Sequence, residues 1–564
     1  MATRLGNLGL AMALIVATPA ATRAQGERPA DLILKAARIW TGDPDRPWAE
    51  ALAARSGEIV AVGPVAAVER FRGPDTRSVD LPGGFAMPGL VDAHAHLIDL
   101  GANQEEIDLR GAGSPEEVAG RVKARIEADP GDGWVIGANW DQSLWPGGSF
   151  PDSAPLDAVA PGRPVWLRRV DGHAGWANSE AIRRAGVTPG SVAPPDGQIL
   201  RDASGRPSGI FVDGAMGIIR RAMPSPSKAD LSRRILAAQA IVFKAGLVGV
   251  HDAGVGPGAE VDVFRTLERE GKLKLRVYAM ASPPEGREVA FASQAPPASG
   301  PSDRFTMRAI KLFADGAMGS RGALLFEPYA DDPSHKGLLL IDPMVLEATA
   351  TAALRNGWQV CTHAIGDRGN ALVLDAYEAA RRAVPEARDP RFRIEHAQAV
   401  RRVDVARFGA TGTIASMQPS HCSDEIRWAD ARLGTARSQG AYAWRWFADG
   451  GVNLAFGSDF PVAVVDPFYG IYAAVTRRQP DGNPPGGWHP DQRLTLDQAL
   501  RGFTIGPAFA SFSEGRAGTL KVGRRADVTV VDRDLFRIPP EELLKVRVRA
   551  TVVEGETVYD AGDR

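Results

Sequence analysis

Eight short apolar runs, each followed by a stretch with helical spacing, recur along the middle of this chain, and that alternation leaves few folds open. The runs lie near residues 89–94, 247–252, 275–280, 307–313, 358–363, 392–396, 413–418 and 452–458. Strands separated by helices imply a parallel sheet. Eight of them are the number that closes a (β/α)8 TIM-like barrel, whose catalytic groups sit at the carboxyl ends of the strands. The gap between the first two runs is too long for one crossover, so an insertion of about residues 102–228 follows the first barrel strand. It holds Trp134, Trp140, Trp145, Trp166 and Trp176, five of the chain's 12 tryptophans. These rings either wall a ligand pocket as part of a lid or form the insertion's own core.

The two ends of the chain differ from the middle. Runs at 31–35, 37–40 and 57–63, and again at 526–532, 546–553 and 554–560, read as short strands broken by turns. They predict a small β-sandwich domain built from both termini, residues 25–85 with 513–564, around an α/β barrel spanning 86–512. The first 24 residues stand apart. Arg4 precedes an apolar run from Leu8 to Ala17, and small residues continue to Ala24, the pattern of a signal peptide. The run is shorter than the ~20 residues of a spanning helix, so the expectation is a soluble mature chain, periplasmic or secreted, with no membrane span. Lys and Arg number 66 against 68 Asp and Glu, a net charge of −2 that gives no reason to expect a nucleic-acid partner. With only Cys361 and Cys422 there is neither a disulfide framework nor a four-cysteine zinc module, so any metal must be held by nitrogen and oxygen.

The nine histidines are not scattered. His94 and His96 stand two apart at the end of the first run, where period-two geometry aims both imidazoles at one side. His363 ends the fifth run, His396 ends the sixth, and Asp459 follows the eighth. One such histidine is more often a hydrogen-bonded structural group than a ligand, but four of them and a carboxylate on one barrel rim point to a metal centre. Donors without a thiolate suit Zn2+ and leave Fe2+, Mn2+ and Co2+ open. Lys311 interrupts the apolar run at 309–313, where a buried ammonium is costly. It is either paired in a salt bridge, with Asp315 the nearest acid in sequence, or a neutral amine that captures carbon dioxide as a carbamate and so becomes an oxygen donor.

Six ordered motifs carry a resemblance over nearly the whole mature chain: residues 88–96 (PGLVDAHAH), 171–178 (DGHAGWAN), 311–321 (KLFADGAMGSR), 362–367 (THAIGD), 394–398 (IEHAQ) and 457–461 (GSDFP). In these the sequence resembles the amidohydrolase superfamily, in its YtcJ-like branch, amidohydrolase family 3. The resemblance implies that His94, His96 and Asp459 hold one divalent metal, His363 and His396 a second, and Lys311 as a carboxylated lysine bridges them. It also suggests that His173 reaches the substrate. Trp176, Arg321, Asp367 and Gln418 are further substrate-binding candidates. For Arg321 the competing role is anchoring its glycine-flanked loop. His251 and His421 lie near strand ends with no role beyond the wall, and Cys361 is expected to pack inside the barrel.

The expected function is hydrolysis of a C–N amide bond in an N-acyl or N-formyl amine or amino-acid type substrate by metal-activated hydroxide. Asp459 is then the catalytic acid and base. A deaminase or a lactone or ester hydrolase on the same scaffold is the alternative within enzymes, and an exported non-catalytic metal-binding or regulatory protein the alternative outside them. The partner is a small molecule, and the insertion's surface leaves room for a homodimer. No glycine-rich phosphate loop calls for an organic cofactor.

Overall fold

The computed structural model describes residues 28–169, 174–194, 197–300 and 302–562; the signal segment at 1–24 and His173 lie outside them. Eight parallel strands, each hydrogen-bonded to its neighbours in chain order, form the central sheet. They are β1 (Leu90–Ala95), β2 (Leu247–Val255), β3 (Arg276–Ala281), β4 (Phe305–Phe313), β5 (Gln359–Ala364), β6 (Arg393–His396), β7 (Ile414–Met417) and β8 (Leu454–Phe456). Each expected run falls on one of them, shifted by at most three residues at an end. The runs are continuous rather than alternating because parallel strands under helices are buried on both faces, as β5, β6 and β7 show over almost their whole length. Inside the sheet Ala253, Tyr278, Met280, Ala309 and Cys361 pack together, so Cys361 is a core residue as expected.

Where β8 meets β1 the sheet is closed by specific groups. The Asp459 N–H donates to the His94 carbonyl at 2.7 Å. The Asp92 carboxylate accepts from the Ser458 N–H at 3.0 Å and the Ser458 hydroxyl at 2.6 Å. Gly457 makes this approach possible, because a Cβ there would lie 2.5 Å from both Asp92 Oδ1 and the His94 nitrogen.

The insertion is a module with its own six-stranded sheet, running from Ile107–Asp108 to Pro207–Asp213. Trp140, Trp145 and Trp176 pack ring against ring at 5.8 to 6.1 Å, and Trp166 meets Phe211 at 6.1 Å. All four tryptophans are buried, and the indole N–H groups of Trp140, Trp145 and Trp176 donate to the carbonyls of Leu167, Ala112 and Asp152. They are the insertion's core.

The two chain ends share one seven-stranded sheet. Leu32–Trp40, Trp48–Arg55, Glu58–Gly63 and Arg77–Pro88 come from the front, and Val528–Val531, Val548–Val553 and Glu556–Asp560 from the back. The seam is the antiparallel pairing of Val528 through Val531 with Pro88 through Phe85. Alternation gives it two apolar faces: Leu32, Leu34 and Leu52 pack with Val528 and Val530 on one, Ile33, Ala51 and Ala53 with Phe71 on the other. The strand Arg77–Pro88 runs almost directly into β1, which places this sheet beside the amino ends of the barrel strands. Among the described residues no helix is long and apolar enough to cross a membrane.

Candidate metal centre

The carboxyl ends of β1, β4, β5, β6 and β8 bring all six expected ligand residues into one cluster. His96 Nε2 lies 3.2 Å and His94 Nε2 3.6 Å from Asp459 Oδ1. The rings of His94 and His396 are 4.8 Å apart and those of His363 and His396 4.4 Å. Donor atoms of His94, His396 and Asp459 fall within 4.8 Å of one another. Lys311 Nζ stands 3.3 Å from His94 Nε2.

Two of these residues are held in unusual backbone conformations. His396 has φ of 72° and Asp459 φ of 62°, the left-handed region that non-glycine residues avoid. Such strain collects at functional sites, where the surroundings over-determine it. At His396 it has a definite effect. In a regular strand Glu395 and His396 would face opposite sides, yet both side chains reach the barrel interior.

A buried charge network holds the imidazoles. The His94 Nδ1–H donates to Glu395 Oε2 at 2.6 Å, which leaves the Nε2 lone pair facing the cluster. Glu395 is in turn gripped by Arg393, with Nε at 2.7 Å from Oε1, and both side chains are fully buried. Arg393 also contacts His251 Nδ1 at 2.9 Å and donates to Ser416 Oγ at 2.8 Å. In the same way the His396 Nδ1–H donates to Gln418 Oε1 at 2.7 Å. Gln418 is therefore an orienting partner of His396.

The titration tendencies follow from burial and neighbours. Burial, then the Lys311 charge, pulls His94 down to about 4 and His363 down to about 3, so both are neutral donors. Burial also lowers Lys311, favouring its neutral amine against the opposing pull of Glu395 and Asp459. Burial raises Asp459, but His94, His96 and His421 outweigh it and hold the carboxylate well below its usual range. Glu395 is likewise pushed up by burial and pulled further down by Arg393 and His94.

The cluster suits a divalent cation. Among the described residues His363 Nε2 and Asp459 Oδ1 are buried with no hydrogen-bond partner, a costly arrangement for polar atoms unless an ion takes their lone pairs. The salt-bridge reading of Lys311 fails. Asp315 spends its carboxylate on the N–H groups of Leu324, Ile365 and Gly366 at 2.8 to 2.9 Å, and Lys311 turns to His94 instead.

Three expected substrate contacts are corrected. Trp176 is fully buried among Trp140 and Trp145 and offers no surface to a ligand. Arg321 holds Asp331 with Nε at 3.2 Å and Nη2 at 3.0 Å, so it anchors its loop. Asp367 opens the helix Asp367–Ala383 and accepts the Phe326 N–H at 3.0 Å, a structural role. Conversely, His421 belongs to the site. It lies in the first turn of the helix Pro419–Leu433, with Nε2 buried, unpartnered among the described residues and 4.0 Å from Asp459 Oδ2. Its ring is nearly parallel to that of His396 at 6.2 Å. Glu395 and Arg393 also went unrecognised in the sequence, although their spacing of two on β6 signals a shared inward face.

The sequence profile described as the amidohydrolase family matches residues 77–559. Protein LONG AFTER FAR-RED 3 of Arabidopsis thaliana is 33% identical over 540 residues, covering 94% of this chain and 92% of that one. The N-substituted formamide deformylase of Arthrobacter pascens is 28% identical over 548 residues, covering 94% and 98%. A crystal structure of an uncharacterized metal-dependent hydrolase from Pyrococcus horikoshii superposes with a TM-score of 0.77 at 28% identity, covering 90% of this chain and 99% of that one.

Proposed function

Since the chain belongs to the amidohydrolase family, we propose that it is a metal-dependent hydrolase of the C–N bond in N-acyl or N-formyl amines. The observation that carries the reading is the convergence of four imidazoles, Asp459 and the buried Lys311 on one barrel mouth. The formamide-type substrate is supported by the deformylase relative. His94, His96 and Asp459 would hold one ion and His363 with His396 a second. Zn2+ is favoured by the nitrogen and oxygen donors. Between them Lys311 would act as a carbamate: its neutral Nζ attacks carbon dioxide, an N–C bond forms, one amine proton leaves to water, and the product carries one negative charge on two oxygens.

A divalent ion in such a site eases deprotonation of water near neutral pH and polarises a carbonyl oxygen. The chain's own groups do the rest. Asp459, ionised at working pH, takes the proton of the attacking water and returns it to the leaving nitrogen. His421, whose Nε2 faces the same space, would donate to the carbonyl oxygen as that oxygen gains charge. Glu395 keeps His94 in its working tautomer and is too firmly held by Arg393 to serve as the mobile proton shuttle a deaminase needs.

Metal content per chain, read by mass spectrometry for the wild type and Lys311→Ala, tests the centre. Two equivalents falling to one or none supports it, and one equivalent unaffected by the substitution overturns the bridge. Turnover of a panel of N-formyl and N-acyl amines by the metal-loaded chain tests the substrate class; failure across the panel would overturn that assignment.

A further inference from the structure

Below the metal centre, at the amino ends of the barrel strands, lies a cavity of about 270 Å3 between the barrel floor and the terminal sheet. That is just under the size of ordinary small-molecule sites. Four arginines line it, Arg276, Arg308, Arg516 and Arg525, against two acids, Asp303 and Asp527.

The ion pairs do not balance. Arg276 is spent on Asp527, with Nε to Oδ2 at 2.8 Å, and Arg516 on Asp303 at 2.7 Å. The two carboxylates nearest Arg525 are Asp303 at 3.7 Å and Glu554 at 3.9 Å. Both are already held more closely, Asp303 by Arg516 and Glu554 by Arg276 at 2.7 Å and Arg304 at 2.6 Å. Arg525 is nine-tenths buried, and its Nε has no hydrogen-bond partner among the described residues. Burial, then Arg276 and Arg516, pulls its guanidinium down to about 10 against the opposing pull of Asp527 and Glu554. Arg308 has no carboxylate partner among the described residues and rests its guanidinium on the Phe512 ring at 3.7 Å. It sits where the β3–β4 register slips, between the pairs Ala279↔Met307 and Met280↔Ala309, and such bulges re-aim side chains.

Buried Arg525, whose two nearest carboxylates are held more closely by other arginines, and half-buried Arg308, with no carboxylate partner among the described residues, face one cavity of ligand size and together call for added negative charge. We propose that the barrel floor is a binding site for a small dianion, of phosphate or dicarboxylate type, held between Arg308 and Arg525. His251 and Tyr278 line the same cavity, and His251 contacts Arg393, which grips Glu395 and through it His94. A bound dianion would sit one chain of hydrogen bonds below the metal centre.

Calorimetric titration of the metal-loaded chain at constant ionic strength, with inorganic phosphate and with succinate, tests the site. The expected result is saturable binding of one equivalent of at least one of them, weakened at least tenfold in Arg308→Gln. The stronger of the two names the class. Binding unchanged in Arg308→Gln would put the anion elsewhere, at the metal centre for instance, and overturn the proposal, as would the absence of saturable binding to the wild type. Should Arg308→Gln fail to fold, a wild-type crystal soaked in phosphate and another in succinate decide the matter: density between the two arginines supports the site, and an empty floor in both overturns it.

Discussion

Single residues at the centre divide into those that would hold the ion and those that aim the holders. Glu395 is the clearest of the second kind, since it fixes the His94 tautomer from a fully buried position. Replacing such a partner typically weakens metal binding 10- to 100-fold. We expect about that loss for Glu395→Gln, measured by competition with a chromophoric chelator, whereas unchanged affinity would remove Glu395 from any orienting role. The imidazoles also set an acid limit. His94 and His363 are held at about 4 and about 3 in the folded chain, against ~6.5 when unfolded. As pH falls below ~6.5 the unfolded chain binds protons that these two residues refuse, so their contribution to stability falls with pH down to their folded values. In chelator-treated protein, urea unfolding at pH 7.5 and pH 5 should therefore show a smaller acid loss for His363→Gln than for the wild type; equal losses would refute the neutral assignment. The ligand histidines were legible in the sequence because strand ends and period two place them. Trp176 and Arg321 were drawn by motif position and Asp367 and Gln418 by their place at strand ends, which says which residues lie nearby but not what each side chain touches.

At the scale of elements, the barrel strands were legible to within three residues because burial on both faces writes each as an unbroken apolar run. The insertion was legible as a gap of about residues 102–228, but its own strands were not. Its sheet mixes parallel and antiparallel neighbours and begins with a strand of two residues, Ile107–Asp108, too short to leave a pattern. His421 escaped for a related reason: its place in the site comes from the first turn of a helix rather than from a strand end. Barrel closure makes a prediction of its own. Gly457→Ala would press a methyl group against the Asp92 carboxylate and the His94 backbone, neither of which has slack. Overpacking of this kind costs about 1–3 kcal/mol or more. The variant should lower the unfolding midpoint and lose metal together, because β1 carries His94 and the turn after β8 carries Asp459. Retained metal at lowered stability would mean that the seam and the centre are independent.

The whole molecule is tied together through its floor. The terminal sheet pairs Pro88 with Val528, so its front half leads into β1 while its back half comes from the strands that follow the barrel. Arg276 at the start of β3 then reaches out of the barrel to Asp527 and Glu554, across the boundary between the two bodies. Asp527 is 7% exposed and Arg276 12%, so this is a buried pair whose rupture leaves a buried guanidinium with Glu554 as its one remaining ion-pair partner among the described residues. Removing one partner of such a pair costs about 3–5 kcal/mol. Asp527→Ala should thus destabilise the chain by about that amount although it touches no metal ligand, and tryptophan fluorescence, circular dichroism and metal release should still report one coincident transition. Terminal-sheet loss preceding metal release would instead make the sheet a dispensable cover. The coincident result is the one the connectivity favours: the sheet cannot leave without freeing the start of β1, and β1 delivers His94 to the centre.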